Sequence, residues 1–107
     1  MTINLLAQYG FATPTSSGNT TIVAAVAGYR IIVSQVCVIT SATNSVKFQS
    51  NGTSDISALM PLAANGGFVL PYSDLGWMQT NISESLTFNM STGTSTGVQV
   101  VYALSSN

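Results

Sequence analysis

The chain has 107 residues, and only five are charged: Arg30, Lys47, Asp55, Asp74 and Glu84; histidine is absent. That length holds one domain with a small core. Two basic groups cannot neutralise a phosphate backbone, and an apolar content of 46% is far above that of a disordered chain, so the composition argues against nucleic-acid binding and against disorder.

The first 18 residues, "MTINLLAQYGFATPTSSG", place Ile3, Leu5, Leu6, Tyr9 and Phe11 ahead of a Ser/Thr/Pro/Gly linker. They read either as an extra edge strand on a sandwich spanning residues 19–107, or as an arm that docks on a neighbouring subunit. Pro14 and Gly18 would let such an arm change direction. The start has no basic n-region and no A-x-A site, so no signal peptide is expected. The run from Ile22 to Val33 is broken by Gly28-Tyr29-Arg30 and falls short of the roughly 20 apolar residues a bilayer requires, so no membrane span is expected.

"TTIVAAV" is a β-branched run, predicted as a strand partly covered on both faces. "YRIIVSQVCVIT" changes phase: Ile31 and Val33 share one parity, Val36 and Val38 the other. A β-bulge near Ser34 and Gln35 would bring both pairs to the core side. Cys37 has no partner for an intramolecular disulfide and reads as a small buried hydrophobe in that strand. "SVKFQS" alternates Val46 and Phe48 with Lys47 and Gln49, as a half-buried antiparallel strand does. Asn51-Gly52 marks a turn.

"LAANGGFVLPYSDLGWMQT", residues 62–80, is dense enough to suggest a ligand site. A phosphate-cradling loop needs a helix after it and usually a lysine. Here Asn65-Gly66-Gly67 leads into the extended Phe68-Val69-Leu70-Pro71, with no lysine near. Asn-Gly suits a turn with positive φ, and Pro71 holds Leu70 extended. The stretch therefore reads as a structural corner built on Asn65, Gly66, Gly67, Pro71 and Trp77, with Trp77 expected to close one end of the core.

"SLTFNMS" alternates Leu86, Phe88 and Met90 with polar residues, and "GVQVVYAL" is a final β-branched strand. Between them, Gly93-Thr94-Ser95-Thr96-Gly97 matches the G-x-S-x-G nucleophile elbow. That motif needs a following helix and a histidine. Here a strand follows and no histidine exists, so the pentapeptide reads as a polar hairpin loop. Asp74 and Glu84 read as solvated loop acids and not as a glycosidase pair. No cluster has metal-ligand spacing. Neither an enzyme, a cofactor nor a metal is expected. Short strands punctuated by turn residues predict an all-β, antiparallel sandwich or barrel.

The order of these pieces resembles a small β-sandwich module of tailed-bacteriophage structural proteins. The resemblance lies in "AVAG" before Arg30 and a β-branched strand, then "FQS", "LAANGG", "LGW", and an acid before "LTF". It covers about residues 19–104. The Ser/Thr-rich loop 92–97 and Met78, where an aromatic residue is common, depart from it and leave any ligand preference open. The resemblance implies a virion protein of one of two classes. One is a capsid decoration (cement) protein, for which the resemblance implies a single-domain, antiparallel, jelly-roll-like β-sandwich, homotrimeric on the major capsid protein at the head surface and assembled in the bacterial host cytoplasm. The other is a module of head or tail fibres that contacts host-surface glycans. The ends of the chain, read as those of a stand-alone protein, favour cement. An arm would then dock on the capsid floor or on a subunit through Ile3, Leu5, Leu6, Tyr9 and Phe11. With so few charges, much of the surface is expected to be covered by other copies or by the shell.

Overall fold

β-branched residues dominate the long runs and suit a pleated, half-buried surface. The computed structural model describes residues 7–106, which form ten strands and no helix. Sheet A sets β1 (Gln8–Ala12), β10 (Thr96–Ser105), β3 (Arg30–Thr40) and β7 (Gly67–Leu70) side by side, with β8 (Met78–Gln79) also on β3. Sheet B sets β2 (Gly18–Val23), β9 (Leu86–Met90), β4 (Asn44–Ser50) and β5 (Ser54–Asp55) side by side, with β6 (Met60–Leu62) also on β4. Every pairing is antiparallel. Because β5 and β6 share β4, and β7 and β8 share β3, each duo is one interrupted strand. Counted so, the two sheets have the interleaved order of an eight-stranded jelly roll. The chain is an all-β sandwich of the kind its periodicity predicts.

The core lies between the inner faces. Val46 and Phe48 of β4 and Leu86, Phe88 and Met90 of β9 meet Ile31, Val33, Val36 and Val38 of β3 and Val98 and Val100 of β10. Phe48 and Phe88, directly paired across β4 and β9, pack edge to face with centroids 5.2 Å apart, a geometry that adds about 0.5–1.5 kcal/mol beyond area burial.

The phase change in β3 is resolved where the sequence placed it. Gln35 pairs with Val101 and Val33 with Tyr102, leaving Ser34 between them as the extra residue. Both apolar pairs consequently reach the core. The bulge also divides the neighbouring strand. β7 pairs with residues 36–39 and β8 with residues 32 and 33. The intervening loop returns two amides to β3: Ser73 N–H donates to Ser34 O at 2.9 Å and Trp77 N–H to Val33 O at 2.7 Å.

The corner at residues 62–67 carries the chain from sheet B to sheet A. Gly66 N–H donates to Ala63 O at 2.9 Å with Asn65 at φ 59°. Gly67 then lies so close to β3 that a Cβ would overlap the Val38 carbonyl oxygen. Trp77 departs from expectation. It does not close the core but stands 46% exposed, because Gly76 turns the chain at φ 80° and the indole Nε1–H donates to Pro71 O at 2.7 Å. "TTIVAAV" is strand only to Val23, where Thr21 and Val23, but not Ile22, pair with β9. The loop holding Gly93–Ser95 is no hairpin either, since it joins β9 of one sheet to β10 of the other.

Gly67→Ala should destabilise the protein by about 1–3 kcal/mol through overpacking against backbone. Gly97→Ala on β10, where a Cβ meets nothing within 4 Å, should stay within about 0.5 kcal/mol of the parent. Urea titration of the two variants checks the contrast, and equal midpoints would refute the close approach at Gly67.

Candidate functional site

Alternation in a strand sends every second side chain away from the core, and in sheet A many of those residues are apolar, interspersed with Gln35 and Gln99. The registers align Phe11, Gln99, Cys37 and Val69 across four strands, with Tyr9, Val101 and Gln35 in a neighbouring row. Tyr9 and Phe11 are 73% and 75% exposed, and Ile39 and Val69 are exposed as well. Gly97 pairs with Ile39 and supplies no side chain, which leaves a hollow of about 430 Å³ lined by Phe11, Ala12, Thr13, Cys37, Ile39, Gly97, Val98 and Gln99. A second hollow of about 240 Å³ is lined by Tyr9, Gln35, Cys37, Gln99, Val100 and Val101. Neither has a charged residue in its lining. Arg30, the charged residue of β3, is at the opposite end of that strand from Ile39.

The outer face of sheet B is the reverse. Lys47 Nζ lies 3.1 Å from Asp55 Oδ1, which also accepts from Gln49 Nε2 at 2.9 Å. Asn89 Nδ2 donates to Asn19 Oδ1 at 2.7 Å, and Asn19 Nδ2 donates to Gly52 O at 3.2 Å. The Gln49 amide, followed by the Lys47 ammonium, holds the Asp55 carboxyl below its ordinary value. The side-chain groups of this face mostly bond to one another, with Gln49 Oε1 the buried exception.

The remaining acids sit in loops. Glu84 Oε1 accepts from Ser50 Oγ at 2.6 Å and from Asn81 Nδ2 at 3.1 Å, while Asn81 N–H donates to Ser50 Oγ at 3.0 Å. The Ser50 hydroxyl, then the Asn81 amide, holds the Glu84 carboxyl below its ordinary value. The role of this node is to tie the end of β4 to the loop before β9. Asp74 occupies the loop between β7 and β8. Among the described residues no group of three or more His, Cys, Asp or Glu is placed to hold a metal.

The residues singled out in the sequence therefore divide into three groups. Tyr9 and Phe11 belong to the apolar face, on β1, which pairs with β10 of its own chain. Ile3, Leu5 and Leu6 lie outside the described residues. Asn65, Gly66, Gly67, Pro71 and Trp77 form the corner, with Tyr72 and Leu75 also exposed on it. Cys37 differs from its reading as a buried hydrophobe: it is only half-buried and faces outward, lining both hollows. Ile39 and Gly97 lie on the two strands, 29–40 and 97–104, whose faces the sequence marks as candidate subunit contacts, but neither residue was named as part of a site, and Val69 was read only as part of an extended run. The signal for Ile39 was "VCVI", residues 36–39, where apolar residues occupy both parities of one strand and so furnish two apolar faces. No family model matches the chain, and no curated protein or solved structure matches it.

Two outcomes follow from these sites. Trp77→Ala should cost about 1–2 kcal/mol, since it removes one hydrogen bond and a half-buried ring, against about 3–5 kcal/mol for a core aromatic. Native emission should be that of a partly hydrated indole, and a strongly blue-shifted spectrum would return Trp77 to the core. Asp55 and Glu84 have folded-state values below their unfolded ones, so their contribution is present above the usual carboxylate range and lost as pH falls through the folded values. The melting temperature should thus decline below about pH 4, and Glu84→Gln should flatten that decline; an unchanged acid limb in the variant would dismiss the node.

Proposed function

We propose that this chain is a non-enzymatic virion structural protein of a tailed phage: a capsid decoration (cement) protein that sits on the head as a homotrimer and stabilises the shell. The observation that carries the reading is the contrast between the two outer faces. Contiguous exposed apolar surface marks a site of association, and sheet A presents it without a charge among the residues lining its hollows. A contact of that kind strands no buried ion and depends weakly on salt. The jelly-roll order supports the reading too, being an architecture that capsid domains use. Three linked copies would grip a shell with an avidity well beyond that of one contact, and closed threefold symmetry matches a local threefold position. The partners are then other copies of the chain and the major capsid protein.

The fibre reading, with a host glycan as ligand, is favoured by a different observation. Tyr72 and Trp77 are exposed on one loop, where a sugar ring could stack. Neighbouring genes separate the readings, since a major capsid gene alongside supports cement and tail genes support a fibre.

Sedimentation equilibrium at micromolar concentration should give a mass near three times the 11.1 kDa of one chain, little changed by added salt. Phe11→Asp combined with Ile39→Asp should yield folded monomers. A wild-type protein that is a stable monomer would overturn the proposal.

A further inference from the structure

We infer that copies of this chain join head to tail, with Leu75 of one copy seated in the hollow between Phe11 and Ile39 of the next. The inference rests on the self-association proposed above and specifies its geometry.

Leu75 is the most exposed large apolar side chain among the described residues, at 94%. It occupies the turn closed by Gly76 N–H donating to Ser73 O at 3.1 Å. The amides of Ser73 and Trp77 bind β3, and the indole Nε1–H binds Pro71 O. The loop is held on both sides of its tip, and these four donors are already satisfied inside the chain. Burying the tip against another protein would leave none of these four unpaired; the Asp74 carboxylate beside Leu75 must then stay at the solvent-facing rim of the contact.

The receiving surface is the hollow of about 430 Å³ floored by Gly97. A buried leucine side chain vacates roughly 150 Å³ when removed, so the hollow has room for Leu75 and part of a flanking ring. Asp74, next to Leu75, would meet no carboxylate there, and Gln99 places an amide in the wall. Knob and hollow are different patches of the chain: Leu75 lies in the loop between β7 and β8, held at Val33 and Ser34, while the hollow is lined from β1, β10 and the end of β3 that holds Cys37 and Ile39. Two different patches make a heterologous contact, which forms a ring when its rotation closes. That is the contact a trimer needs and a twofold dimer does not use.

Paired variants test it. Leu75→Asp removes the knob and keeps the hollow. Gly97→Leu fills the hollow, keeps the knob, and enters open space on its own chain. Each alone should sediment as a monomer, with association weakened at least tenfold. Mixed in equal amounts they should form a one-to-one heterodimer, since one intact contact remains, and the emission of Trp77, the sole tryptophan, should shift to the blue. If the wild type is a trimer and either variant alone is too, this geometry is wrong while the self-association reading stands. Two monomeric variants that do not combine also overturn it, as does an emission shift with added oligosaccharides and none between copies. A monomeric wild type removes both readings together.

Discussion

The whole of sheet A is registered on one extra residue. β3 runs for 11 residues, pairs with β10 along its length and carries β7 and β8 on its other side. Without Ser34 as a bulge, the strict two-residue period would send either Ile31 and Val33 or Val36 and Val38 to solvent. With it, both pairs line the core, and the price is a break in the hydrogen-bond ladder. The loop between β7 and β8 meets that break, placing the amides of Ser73 and Trp77 on the carbonyls of Ser34 and Val33. Corner and bulge are therefore one device. The loop's exposed tip exists because the bulge requires a detour there.

The distribution of the few polar side chains follows a similar economy. Several buried hydroxyls and amides lie at the two ends of the sandwich, where they bind backbone groups at chain crossings. Asn44 accepts from the amides of Ser45 and Thr92 and donates to Thr92 O, binding the β3–β4 turn to the loop after β9. At the other end Thr80 accepts from the Ile31 amide, and its own amide donates to Ile31 O. Charge is confined to sheet B, the loops and the start of β3. The end of sheet A around Phe11, Ile39 and Gly97 is thus free to present hydrocarbon outward without a charged side chain in the lining of its hollow.

Much of this was legible in the sequence, for a physical reason. The alternation of Val46 and Phe48, and of Leu86, Phe88 and Met90, is local information, as is the phase slip in "RIIVSQVCVIT". Strand faces and the bulge follow from neighbours in the chain. The outer face of sheet A does not, because it is assembled from β1, β10, β3 and β7, which are far apart in sequence and contribute alternate residues. The orientation of Trp77 was equally illegible. It depends on the left-handed turn at Gly76 and on one hydrogen bond to Pro71 O, whereas composition alone makes a lone tryptophan look like core.

The position of β10 bears on how the molecule comes into being. Residues 96–105 lie between β1 and β3, strands from the first 40 residues. Sheet A cannot close until those residues have left the ribosome. Until then β3, apolar on both sides, has no partner along the edge that β10 will occupy. Topologies dominated by such distant pairings fold slowly, and unpaired strand edges are where nascent chains aggregate. The chain is therefore most exposed to misassociation at the stage when β1 to β9 have been made and β10 has not.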